Sequence, residues 1–85
     1  MDSQHAGQWL TAAAQVRGIT TYQGLAVALS VEFGAPIGST SAYRWWLGHR
    51  LVPRRYWAAL AAVLDVPLDE VALRASGFDP VEASA

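Results

Sequence analysis

Glycine and proline divide this chain into short blocks, and within each block the apolar residues recur three and four positions apart. That pattern leaves five helical segments and no convincing strand. Helix 1 is expected from about Gln8 to Arg17, on Trp9, Leu10, Ala13 and Ala14, with Gly18 as its stop. Ile19 then turns back into the core. Thr20 or Thr21 caps helix 2, about Tyr22 to Phe33, in which Leu25, Leu29 and Phe33 stand at i, i+4 and i+8. Gly34 suits the C′ position, and Ala35 to Gly38 reads as a turn. Helix 3, about Thr40 to Leu47, has Ser39 as its N-cap and Gly48 as its stop. Its spacing turns Tyr43, Trp46 and Leu47 inward and leaves Thr40, Ser41, Arg44 and Trp45 outside. Pro53 falls near the N1 position of helix 4, which runs to about Leu64 on Trp57, Leu60, Ala61 and Leu64. Pro67 opens helix 5, about Leu68 to Ala75, and Gly77 closes it.

The fold class that follows is all-α, a compact five-helix bundle. Eighty-five residues, 53% of them hydrophobic, suit one small domain and not a disordered chain. Residues 1–7 are expected to form a flexible start, 8–77 the folded domain, and 78–85 a loose tail. There is no cysteine, which excludes disulfides and thiolate metal sites. His5 and His49, the two imidazoles, lie far apart in the sequence, so no metal is expected. The opening Met-Asp-Ser-Gln-His lacks a basic n-region and is not expected to be a signal peptide. No apolar run reaches the roughly 18 residues of a membrane span. A soluble, cytoplasmic protein is the expectation.

Charge is where the chain becomes specific. The net charge is −1, yet four of the six basic residues, Arg44, Arg50, Arg54 and Arg55, fall in one short stretch without an acid. The rest of the chain carries two Arg against seven acids, so the molecule should present one attractive and one repulsive face to a polyanion. Arg54 and Arg55 stand in the first turn of helix 4, where cations oppose the helix dipole. A bound phosphate would turn that liability into a clamp, which Arg50 and His49 extend. The alternative is that the two arginines pair with Asp65, Asp69 or Glu70, or are only solvated. Arg44 is the candidate for direct base reading, since its fork matches guanine O6 and N7; otherwise it makes a surface ion pair. Thr40 and Ser41 either bond bases or phosphates or act as local caps. Trp45 either touches a sugar or thymine methyl, packs on another chain, or is an ordinary half-buried ring.

At these residues the sequence resembles the phage-repressor (Cro/cI, Xre) family of helix-turn-helix proteins. The resemblance rests on Arg17-Gly18-Ile19-Thr20 after helix 1 and on Leu25-Ala26 with Leu29 in helix 2. It continues with Trp46 followed by Gly48 and Pro53, and with Leu64-Asp65-Val66 leading into Leu68-Asp69-Glu70-Val71. Together these span about residues 9–77. The resemblance implies a lambda-repressor-like fold and a homodimer on a palindromic site in double-stranded DNA. It implies base contacts from Thr40, Ser41, Arg44 and Trp45 on the recognition helix, with Tyr43 and Trp46 in the core. It also implies phosphate contacts at Tyr22, Gln23 and Ser39, beside those expected of His49, Arg50, Arg54 and Arg55. Helix 2 with its turn is longer than the usual motif, which bears on the docking angle, and Leu47 stands where a Glu is frequent.

A sequence-specific transcriptional regulator, a phage-type repressor or antitoxin-like protein, is the expected function. The alternative is a protein–protein interaction module on the same scaffold, which the acidic net charge and the off-stripe Val27 and Val31 favour. No nucleophile elbow, paired-carboxylate site, phosphate loop or metal set appears, so no catalytic residue, no cofactor and no enzyme activity are expected.

Overall fold

Leu10, Leu25, Leu29, Leu60, Leu64 and Val71 are the largest fully buried side chains, and the chain is wound around them. The computed structural model describes residues 3–76. Within them lie five α-helices: α1 Ser3–Val16, α2 Tyr22–Phe33, α3 Ser39–Leu47, α4 Trp57–Leu64 and α5 Leu68–Ala75. A single 3₁₀ turn over Arg54–Tyr56 precedes α4, so Arg54 and Arg55, expected in the first turn of that helix, lie ahead of it. No strand occurs among the described residues. Gly77 and the tail 78–85, expected as a helix stop and a loose end, lie outside the described residues. The principal contacts run α1 to α3, α3 to α2, α2 to α4, α4 to α5 and α5 back to α1, a closed ring of neighbours around one core.

The first helix departs from expectation. It begins at Ser3, not Gln8, so residues 3–7, expected to be flexible, are helical. Glycine is a poor helix residue, and Gly7 therefore weakens the local signal. Tertiary contact overrides it. Ala6 and Gly7 are buried, and a Cβ on Gly7 would stand 2.6 Å from the Gly48 Cα, so only glycine permits this approach of α1 to the end of α3. One turn on, the Thr11 hydroxyl lies 2.9 Å from the Gly7 carbonyl and 3.1 Å from the Trp46 carbonyl, sharing its one proton between them. A C-terminal carbonyl of α3 is thereby given a donor.

The second helix and its exit are tightly specified. The Thr21 hydroxyl accepts the Gly24 N–H at 3.1 Å and is the N-cap. Gly34 closes the helix in the left-handed region, with φ of 80°. The Ser30 hydroxyl donates to the Ala26 carbonyl at 2.7 Å and accepts the Ile37 N–H at 2.9 Å. Ile37 is itself buried. One serine thus ties the turn after α2 back to the helix and sets where α3 starts.

In α3 the inward stripe is rotated from the one expected. Ala42 and Trp45 are buried, at 0% and 5% exposure, and Gly48 continues the same line at i+6. Tyr43 and Leu47 are exposed, at 41% and 44%, and Trp46 is half-buried against the core. Trp45 wins the inner place because its ring meets Tyr56, centroids 5.4 Å apart, while Gly48 lets the backbone of α1 close in at Gly7. The cap differs as well. Gly38 is the N-cap of α3, without a side-chain hydrogen bond, and Ser39 is the first helical residue.

Candidate nucleic-acid interface

Ser39, Thr40, Ser41, Tyr43, Arg44 and Leu47 form the exposed part of α3. None of the three hydroxyls makes a side-chain hydrogen bond within the described residues. The alternative that Thr40 and Ser41 serve as local caps is therefore not realised. No side chain caps the amides of that first turn either. Such groups seek acceptors and donors from outside the chain.

Tyr43 is the centre of this face. Its ring meets that of Tyr22, the first residue of α2, edge to face at 5.0 Å, and approaches His49 at 6.4 Å. Tyr22, Ser39, Thr40 and Tyr43 line a shallow depression of about 260 Å³. His49 reaches the row because its N–H donates to the Arg44 carbonyl at 2.8 Å, which folds the loop back over the last turn of α3; the Arg50 N–H reaches the same carbonyl at 3.3 Å. Two segments far apart in sequence thus converge on one helix face. Gln23 is exposed beside Tyr22 and makes no side-chain hydrogen bond among the described residues.

Asp65 lies 3.7 Å from Arg17. It is thus engaged away from Arg54 and Arg55, and among the described residues no carboxylate pairs with Arg44, Arg50, Arg54 or Arg55. Arg55 lies over the Tyr56 ring at 4.7 Å, and Arg54 over Trp57 at 5.9 Å. Stacking on a ring orients a guanidinium without cancelling its charge. Tyr56 in turn touches Phe33 at 4.7 Å and Trp45 at 5.4 Å. Arg55 is thereby tied through Tyr56 to Trp45 on the inward side of α3, and Arg54 to Trp57 at the start of α4.

Against the expected site, Thr40, Ser41 and Arg44 are on the exposed face, with Ser39 and Tyr22 beside them. Trp45 is not: a ring 5% exposed cannot lie along a groove, and it belongs to the core. Tyr43 and Leu47, expected inside, occupy the face instead. The signal that points to them is the small-residue line Ala42 and Gly48 on either side of Trp45. Among the described residues, no three His, Asp or Glu side chains gather to hold a metal ion, and no helix is long and apolar enough to cross a membrane. No family model, curated protein or solved structure matches this chain.

Proposed function

We propose that this protein is a sequence-specific DNA-binding regulator, with α2, the turn 34–38 and α3 acting as a helix-turn-helix in a lambda-repressor-like arrangement. The observation that carries the reading is the exposed face of α3. Three unbonded hydroxyls, Tyr43 and Arg44 stand on one short helix, Arg50 follows on the loop tied to its last turn, and neither arginine has a carboxylate partner among the described residues. In such a motif the second helix enters the major groove and its early residues meet base edges. Thr40, Ser41 and Arg44 take those positions, and Tyr43 stands in place of Trp45, its ring able to meet a thymine methyl. Ser39, Tyr22, Gln23, His49 and Arg50 contact phosphates at the two ends of α3. Arg54 and Arg55 grip the backbone further along. Repression or antitoxin-like autoregulation in the cytoplasm is the role such a small domain fits.

A protein-interaction role for the same scaffold is favoured by one observation, the apolar Tyr43 and Leu47 on the exposed face. Selection of bound duplexes from a random pool separates the two. An enriched motif that requires Arg44 supports the regulator, and an absence of enrichment at low salt removes it. Salt titration adds a second check. Neutralising on the order of 6–8 phosphates gives a log–log slope of roughly −5 to −7.

A further inference from the structure

The outward line of α3 ends on a residue that cannot hydrogen-bond. Thr40, Arg44 and Leu47 stand at i, i+4 and i+7, on one side of the helix. That side faces away from the buried Ala42 and Trp45, and Leu47 is 44% exposed there. Its neighbours in the chain are polar. Arg44 comes three residues before it, and His49 and Arg50 follow on the loop whose N–H groups bond the Arg44 carbonyl. Apolar patches that bind proteins are contiguous over several hundred Å². Leu47 and Tyr43, two side chains on a helix of nine residues, fall short of that, and Tyr43 is already engaged with Tyr22. The major groove of DNA, by contrast, offers an apolar group of matching size: the methyl at C5 of thymine. A 5-methylcytosine carries the same methyl at the same place.

We infer that Leu47 reads the C5 methyl of a pyrimidine, so that binding depends on that methyl. The inference rests on the DNA reading proposed above and adds the chemical group recognised. Because α3 is short, its last turn stays close to the groove that its first turn enters. With α3 along the groove, Arg44 and Leu47 are separated by about 4.5 Å of helix axis, against about 3.4 Å between successive bases of a strand. The pyrimidine therefore lies about one or two steps from the guanine that Arg44 takes. Leucine has neither donor nor acceptor. It senses the methyl and is blind to the groups at C4, the carbonyl of thymine or the amine of cytosine.

Fluorescence anisotropy on the duplex enriched from a random pool tests this. Synthetic copies carry deoxyuridine, which lacks the methyl, at each thymine in turn. Covering one methyl is worth roughly fourfold in affinity. The enriched duplex should have a thymine beside the base pair whose preference depends on Arg44, and deoxyuridine there should cost wild-type protein about that factor. At the same position 5-methylcytosine should be bound more tightly than cytosine by a similar factor. Leu47→Ala should bind the two members of each pair alike, and Tyr43→Ala should keep the difference. A variant that is partly unfolded loses affinity for both members together, so their ratio reports the contact and not the fold. A duplex bound equally well with deoxyuridine at every thymine overturns the inference and leaves the DNA reading standing. A ratio that survives Leu47→Ala also overturns it, by giving the methyl to another side chain. So does a ratio present on thymine and absent on 5-methylcytosine, which gives the base to a hydrogen-bonding group. A chain that enriches no duplex at low salt overturns the DNA reading itself, and the inference with it.

Discussion

The rings of Tyr22 and Tyr43 meet edge to face, their centroids 5.0 Å apart and their planes at 77°. This contact joins the first residue of α2 to the middle of the exposed face of α3, so the proposed reading surface is built from two helices and not from one. It also fixes which side of α3 faces out. With Tyr43 held against Tyr22, Trp45 is carried inward to Tyr56. Large aromatics close together in the sequence therefore have opposite duties.

Exchanging Tyr43 and Trp45 in turn for alanine should separate the duties. Trp45→Ala empties a core position that is 5% exposed and should cost about 3–5 kcal/mol of stability. Tyr43→Ala removes chiefly the ring pair, worth about 0.5–1.5 kcal/mol beyond its area, and should weaken DNA binding out of proportion to that change. Urea denaturation gives the first quantity and gel shift at temperatures where both variants are folded gives the second. Equal destabilisation by the two would return Tyr43 to the core.

The close approach of α1 to α3 makes a second prediction with an unusual sign. In an exposed helix, Gly→Ala is stabilising by about 0.8–1.0 kcal/mol. At Gly7 the added Cβ meets the Gly48 Cα and N at 2.6 Å, and both are backbone atoms that cannot rotate aside. Gly7→Ala should therefore destabilise by about 1–3 kcal/mol, the usual range for overpacking. A raised melting temperature in calorimetry would mean that α1 does not lie against Gly48.

Much of this architecture was legible in the sequence because it is decided locally. Gly34 and Gly48 stop helices through their own backbone freedom, at φ of 80° and 78°, and Leu25, Leu29, Leu60 and Leu64 fall on stripes that any helix would bury. The start of α1 was not legible. Gly7 argues against helix until Gly48 is placed beside it, some forty residues later in the chain. The rotation of α3 was hidden for the same reason. Tyr43, Trp46 and Leu47 form as good an apolar stripe as Ala42, Trp45 and Gly48, and only the position of Tyr56 and α1 chooses between them. Of the candidate site, the clustering of Arg44, Arg50, Arg54 and Arg55 in one acid-free stretch is plain in the sequence, but whether Asp65, Asp69 or Glu70 folds back onto them depends on tertiary structure, which gives Asp65 to Arg17 instead. The place of Tyr43 on the face, and the stacking of Arg54 and Arg55 on Trp57 and Tyr56, depend on how separate segments and their rings pack.

Ser30 offers a test of how the turn positions α3. Its hydroxyl accepts the Ile37 N–H at 2.9 Å while donating to the Ala26 carbonyl. Ser30→Ala removes the acceptor and leaves a donor on a buried residue unmet, a cost of about 1–3 kcal/mol. Because the missing bond anchors the entrance to α3, hydrogen exchange at Ile37 should speed up more than exchange at Leu60 in the core. A uniform change across the chain would mean that the serine stabilises the fold without fixing the turn.

The arginines divide into two kinds, and their variants should behave differently. Arg54 and Arg55 sit over rings on the 3₁₀ turn, outside the row around Tyr43. Replacing both with alanine should weaken binding to every duplex alike and lower the salt slope by about one for each phosphate left unneutralised. Arg44 stands on α3 itself, exposed and without a carboxylate partner among the described residues. Arg44→Ala should cost about 1–3 kcal/mol on the preferred duplex and relax the preference at one base pair, with little change on random sequence. Both sets of side chains are exposed, so melting temperatures should stay close to wild type. Fluorescence anisotropy with preferred and random duplexes, at several salt concentrations, resolves the two signatures. Discrimination that survives Arg44→Ala but disappears with Arg54 and Arg55 would move base reading from α3 to the turn before α4.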